Sequence, residues 1–204
     1  MISTYSELKT AVADFLNRDD LTSVVPTFIS LAEAQFHRDI RHWRMESRSA
    51  ITLDSEYVDL PADWIETIQL QAADTKPLKL ASRESIADKR INSENVSGTP
   101  KFYAHAAGKI ELYPTPDEAY TGEILYYGKI DALSDSNTSN WLLSDSPDIY
   151  LYGALIHSAP YLQEDARSSI WAQLYGAAVQ KINMASEASR MSGSGLVMKN
   201  RGLG

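Results

Sequence analysis

The chain has 204 residues, with 27 acidic and 19 basic side chains, no cysteine and a formal net charge of −8. The missing cysteines exclude disulfide scaffolds, thiolate catalysis, Fe–S clusters and cysteine-based zinc sites. The acidic balance opposes tight grip on duplex nucleic acid, which calls for a basic face. With 44% apolar residues, 4 Trp, 11 Tyr and 4 Phe, the chain can fill a core. No run approaches the roughly 18 apolar residues of a membrane span. Met1 to Glu7 carries neither a basic segment nor an apolar stretch, so a cytoplasmically made, unexported protein without membrane contact is expected.

In chain order, Thr4 and Glu7 have capping-box spacing, and Leu8, Ala11, Val12 and Phe15 follow at helical intervals. A second helix opens near Pro26, which suits a first helical turn, and presents Phe28, Ile29, Ala32, Phe36 and Ile40. Residues 4–16 and 25–41 are thus predicted as a helical hairpin. From Trp43 the pattern changes to short alternating runs separated by turn residues. Strands are predicted at 50–53, 57–61, 65–70, 77–80, 101–105, 109–113 and 123–127, with a short helix at 82–90. Together they form a largely antiparallel β region. Residues 131–146 read as a polar loop interrupted by Trp141-Leu142-Leu143.

Ser146-Pro147-Asp148 opens a third long helix whose face is Ile149, Tyr152, Ile156 and Ala159, with Pro160 set to kink or end it. A fourth helix is predicted over 165–190, with Ile170, Trp171, Leu174, Ala178 and Ile182 on one side. Residues 191–204 read as a flexible Gly/Ser-containing tail. Neither helical hairpin can bury its stripe alone, so the two pack together. The fold class is α+β: a discontinuous helical bundle of residues 1–42 and 147–190, an inserted β region with its polar loop at 43–146, and the tail.

Chemical signatures are missing. His37 and His42 are five residues apart, about 140° around a helix, so they do not share a metal-binding face. His105 and His157 read as structural. There is no nucleophile elbow, and the Gly193-Ser194-Gly195 string lacks the strand and helix that a phosphate loop needs. Aromatic residues of the β region, Phe102, Tyr103, Tyr113, Tyr126 and Tyr127, fit core packing better than a base-stacking platform. No catalytic, cofactor or metal residues are assigned.

Charge is unevenly spread. Residues 131–165 hold Asp131, Asp135, Asp145, Asp148, Glu164 and Asp165 without Lys or Arg, whereas 181–204 hold Lys181, Arg190, Lys199 and Arg201 against Glu187. Complementary patches of this kind steer association. Asp145 and Asp148, with Arg41 and Arg44 of the basic helix end, are candidate subunit-interface residues. Met191, Leu196, Val197, Met198, Lys199 and Arg201 are candidate partner-binding residues of the tail.

Several stretches taken together resemble the head-to-tail adaptor, or neck, proteins of tailed bacteriophages. They are Tyr5-Ser6-Glu7-Leu8-Lys9, Val25 to Ala34 with Phe36 to Arg41, Tyr57 to Trp64, and Trp141 to Gly153 continuing to Ala159-Pro160-Tyr161-Leu162. The resemblance implies a non-enzymatic virion protein of the neck, assembled in the host cytoplasm as a ring, typically of twelve copies. Its partners would be the portal protein, reached partly by the tail, and a tail or nozzle protein beneath, with DNA met only in passage. The alternatives are a DNA-packaging or nucleic-acid-binding accessory, and a cysteine-free hydrolase using Ser, His157 and a carboxylate.

Overall fold

The computed structural model describes residues 2–72, 75–92, 96–162 and 167–191. The described residues form a mixed α+β protein whose chain divides into two compact units. One comprises residues 1–44 and 130–204, the other residues 45–129.

In the first unit, α1 (Tyr5–Leu16) starts at Thr4, whose hydroxyl accepts the Glu7 N–H at 3.3 Å while the Glu7 carboxylate accepts the Thr4 N–H at 3.2 Å. It stops at Asn17, which adopts the left-handed conformation at φ 54°. Tyr5, Leu8, Val12 and Leu16 face inward. Phe15, expected there, is 48% exposed, because the inward stripe follows i, i+4 spacing from Leu8 through Val12 to Leu16. The helix α2 (Val25–Asp39) buries Phe28, Ile29, Ala32 and Phe36, with Ile40 buried just beyond it. Among the described residues the unit also holds the α-helices α4 (Trp141–Asp145), α5 (Pro147–Leu162) and α6 (Ser168–Met191).

The helix α5 lies at the centre, packed against α1, α2, α4 and α6. Its expected face of Ile149, Tyr152, Ile156 and Ala159 is corrected accordingly. Ile149, Tyr150, Leu151, Gly153, Ala154, Leu155 and Ser158 are buried, whereas Tyr152, Ile156 and Ala159 are only partly so. A helix surrounded by neighbours has no single apolar stripe. Gly153 permits the closest approach, since a Cβ there would stand 2.9 Å from the Phe36 ring and 3.1 Å from the Ala32 Cβ. The helix continues through Pro160 for two residues, so near its end that one lost donor does not break it.

The stretch expected as a polar loop of the β region clusters instead with the helices. The reason is hydrogen bonding: the Glu33 carboxylate accepts the Leu133 N–H at 2.8 Å, and the Thr138 carbonyl accepts the Tyr5 N–H at 2.7 Å. Lys9 pairs with Asp135 at 2.9 Å. Trp141-Leu142-Leu143 is no interruption of a loop but the start of α4, capped by Asn140, whose side chain accepts the Leu143 N–H at 2.9 Å.

The second unit contains β1 (Glu46–Leu53), β2 (Tyr57–Asp59), β3 (Trp64–Ala72), β4 (Lys79–Leu80), α3 (Arg83–Asn92), β5 (Phe102–Ala106), β6 (Lys109–Tyr113) and β7 (Tyr120–Gly128). They make a three-stranded sheet in the order β1-β7-β3 and a four-stranded sheet in the order β2-β6-β5-β4. All pairings are antiparallel except β4 with β5, which is parallel. β1 and β2 are consecutive yet belong to different sheets, so the turn at Asp54-Ser55-Glu56 carries the chain from one sheet to the other.

The sheets share a core of Leu53, Leu70, Ile124 and Tyr126 from one and Val58, Tyr103, Ile110 and Leu112 from the other. On the opposite side of β5 and β6, α3 packs Ile86 against Ala104 and Tyr113. There Arg90 donates to Glu56 at 2.6 Å, to Glu111 at 2.7 Å and to the Leu112 carbonyl at 3.0 Å, tying helix to sheet. Tyr103, Tyr113, Tyr126 and Tyr127 are all buried, so their rings are packing groups rather than a platform for bases.

Candidate functional site

The end of α2 organises a cluster of charged and aromatic groups in the helical unit. The backbone turns extended at Ile40 (φ −104°, ψ 131°), which leaves the last helical carbonyls without intrahelical donors. The Arg41 guanidinium donates to the carbonyls of His37 and Ile40, each at 2.8 Å, and so closes the helix. The next residues are clamped to α6. The Arg41 N–H donates to the Asn183 side chain at 3.0 Å, the Asn183 amide donates to the Asp39 carbonyl at 2.9 Å, and the Trp43 N–H donates to the Ser186 hydroxyl at 2.9 Å.

This clamp sets His42 between two indoles. Its ring stacks on Trp141 at 5.0 Å and 24°, and leans on Trp43 at 5.5 Å and 35°. The Arg44 N–H donates to His42 Nδ1 at 3.2 Å, which makes Nδ1 the acceptor of a neutral imidazole. Burial holds the His42 pKa below the ordinary imidazole value, with Arg44 adding to the effect. The Arg44 guanidinium lies 5.6 Å from the Trp43 ring and 6.0 Å from the Trp141 ring, and pairs with Asp145 at 2.7 Å. Trp43 remains 45% exposed.

Of the residues predicted as a subunit interface, Arg44 and Asp145 therefore meet within one chain. Both are substantially exposed, at 39% and 46%, so their pairing contributes at most about 1 kcal/mol. Arg41 is committed to the helix end. Asp148 is exposed in the first turn of α5, where an acidic group complements the helix dipole. Met191 closes α6, and its side chain lies outside the described residues, as do Leu196, Val197, Met198, Lys199 and Arg201.

The outer side of α6 is a second feature, and it corrects the expected buried face. Spacing places Ile170 and Leu174 beside Trp171, but they are 56% and 42% exposed, whereas Trp171, Tyr175 and Val179 are buried. The helix has two apolar sides. Ile170, Leu174 and Met184, the last 60% exposed, fall within about 80° of one another on the outward side. Neighbouring apolar residues at 170 and 171 straddle the boundary, so spacing alone merges the two faces. The His42–Trp141 stack also escapes a sequence reading, because its members are far apart in the chain and neither belongs to a chemical motif.

The remaining histidines of this unit have local partners. His157 Nε2 lies 3.0 Å from the Gln35 side-chain oxygen, and His37 Nε2 lies 3.3 Å from the Ile130 carbonyl. Among the described residues no group of three His, Cys, Asp or Glu could hold a metal ion, and no helix is long and apolar enough to cross a membrane.

The described residues of the helical unit thus present the half-exposed Trp43 and Arg44 and an apolar outer side of α6. The sequence model of the SU10 adaptor protein family matches residues 3–198, nearly the whole chain, and the chain belongs to that family. It is a phage adaptor protein, a structural component and not an enzyme. Comparison with curated proteins finds no match.

Proposed function

We propose that the chain assembles as a ring that docks beneath the portal, joins it to the tail or nozzle protein and lines the channel through which DNA passes. The family match over residues 3–198 carries this reading. Twelve copies follow the family pattern, and the site of action is the virion neck after assembly in the host cytoplasm. The outward Ile170, Leu174 and Met184 of α6 support contact with a neighbouring copy, since apolar groups exposed along one helix side lose water when covered. Arg41, Arg44, Asp145 and Asp148 sit at the proposed subunit border, with Trp43 as an aromatic anchor. Met191, Leu196, Val197, Met198, Lys199 and Arg201 are the proposed portal contact. The net charge of −8 per chain suits a channel wall that lets duplex slide.

The test is mass in solution by light scattering, with and without purified portal rings. Formation of a complex whose mass adds a ring of adaptor copies is the expected result. A chain that stays monomeric and leaves the portal mass unchanged would overturn the proposal.

A further inference from the structure

Two helices of the first unit turn exposed stripes of the same spacing outward. On α6, Ile170, Leu174, Ala177, Lys181, Met184 and Ala188 recur at alternating intervals of four and three, and all are exposed. At about 100° per residue they fall within about 80° of one another. On α2, the exposed Thr27, Leu31, Ala34 and Arg38 keep the same rhythm within about 60°. This is the rhythm of a seam between two helices that run alongside each other. Both helices pack on α5 with their other sides, α2 through Phe28, Ile29, Ala32 and Phe36 and α6 through Trp171, Tyr175 and Val179. The two stripes are therefore separate surfaces, and neither is covered by the described residues.

The stripes complement each other in charge and in size. The exposed Glu187 flanks the α6 stripe, and Arg38 ends the α2 stripe. Neither makes an ion pair among the described residues. Setting Arg38 beside Glu187 fixes the direction. With the helices parallel, Ala34 comes level with Met184, Leu31 with Lys181 and Thr27 with Ala177. Run antiparallel, the same pair would carry the rest of α2 past Met191, the end of α6. In the parallel register a small residue faces the large Met184, and Lys181 lays its methylenes along Leu31 while its ammonium stays in water.

We propose that the outward stripe of α6 in one copy packs in parallel on the outward stripe of α2 in a second copy, with Glu187 paired to Arg38 across the border. The inference rests on the ring reading above and names the two surfaces that meet in it. Because the stripes differ, the contact is head-to-tail. Each copy offers α6 to one neighbour and α2 to the other, and repetition of such a contact closes a ring. A stripe paired with the same stripe of a second copy would stop at two chains.

The chain has no cysteine, so an engineered pair reports its own contact. Full chains carrying Ala34→Cys with Met184→Cys are assembled on purified portal rings, oxidised and run on non-reducing denaturing gels. Light scattering reads the mass added to the portal in the same preparation. A ladder of covalent multimers beyond the dimer is expected, since residues facing across a seam come within the disulfide reach of about 6 Å between Cα atoms. Ala34→Cys with Ile170→Cys, displaced by roughly 21 Å along α6, should give no ladder. In chains without cysteine, Arg38→Glu should lower the amount bound per portal at least about 3-fold, and adding Glu187→Arg should restore it to within about 2-fold. This charge swap decides the matter even if a cysteine variant fails to fold. Added mass without a ladder, an equal ladder from the displaced pair, or a swap that restores nothing would overturn this contact and leave the ring reading standing. Wild type that adds no mass to the portal would overturn the ring reading and this contact with it.

Discussion

Glu33 and His42 respond to pH in opposite directions. Glu33 is 8% exposed, and burial raises its pKa although the Leu133 N–H and the Tyr150 hydroxyl, at 3.2 Å, both favour the charged form. The folded chain thus holds this proton more tightly than the unfolded one does. The group's contribution to stability is fullest below the unfolded carboxyl value of about 4.3 and is lost as pH rises through the raised value. Glu33→Gln keeps an acceptor and removes the titration. Urea melts from pH 4 to pH 8 should show wild type losing stability relative to this variant; parallel curves would refute the assignment. His42 has a lowered pKa, so its contribution is full above about 6.5 and declines as pH falls through the folded value. Charging the imidazole between two indoles should alter tryptophan fluorescence on the acid side, and His42→Gln should remove that component. A transition that survives in the variant would place its origin elsewhere.

At the level of helices and strands, the α2–α5 contact depends on Gly153. Alanine favours helix by about 1 kcal/mol over glycine. Here its methyl would meet Phe36 at 2.9 Å, and a packing penalty of about 1–3 kcal/mol outweighs that gain. Gly153→Ala should therefore lower the midpoint of urea unfolding, and a raised midpoint would show that Phe36 yields freely. Most elements were legible in the sequence, because capping at Thr4, proline at position 147 and strand alternation at 109–113 are local signals. Pairing was not. The separation of β1 from β2 into two sheets and the parallel β4–β5 match depend on contacts between distant residues. The same limit hid the cluster around His42. Arg44 and Asp145 were legible as opposite charges, but not as each other's partners. Their pairing depends on the turn at Ile40 and on the α4 cap at Asn140.

Across the whole molecule, the proposed portal contact is separable from the packing that holds the helical unit together. Removing residues 191–204 should leave the thermal melt within about 0.5 kcal/mol of the full chain, since α6 buries its inward face through Trp171, Tyr175, Val179 and Ser186. Attachment to portal rings, read by co-sedimentation, should fall. Undiminished attachment would remove the carboxy-terminal residues from the portal contact, while a large loss of stability would show that they belong to the fold.

The helical unit takes its residues from both ends of the chain, whereas residues 45–129 are continuous. On the ribosome this imposes a sequence of events. α1 and α2 emerge first, yet the helix that covers Phe28, Ile29 and Phe36 lies more than a hundred residues downstream. At about 5–20 residues per second, their apolar faces wait roughly 6–25 s for α5. The β unit can close during that delay, since all its strands have been made. A β unit that closes in that interval gives the newborn chain a finished middle while α2 is still uncovered.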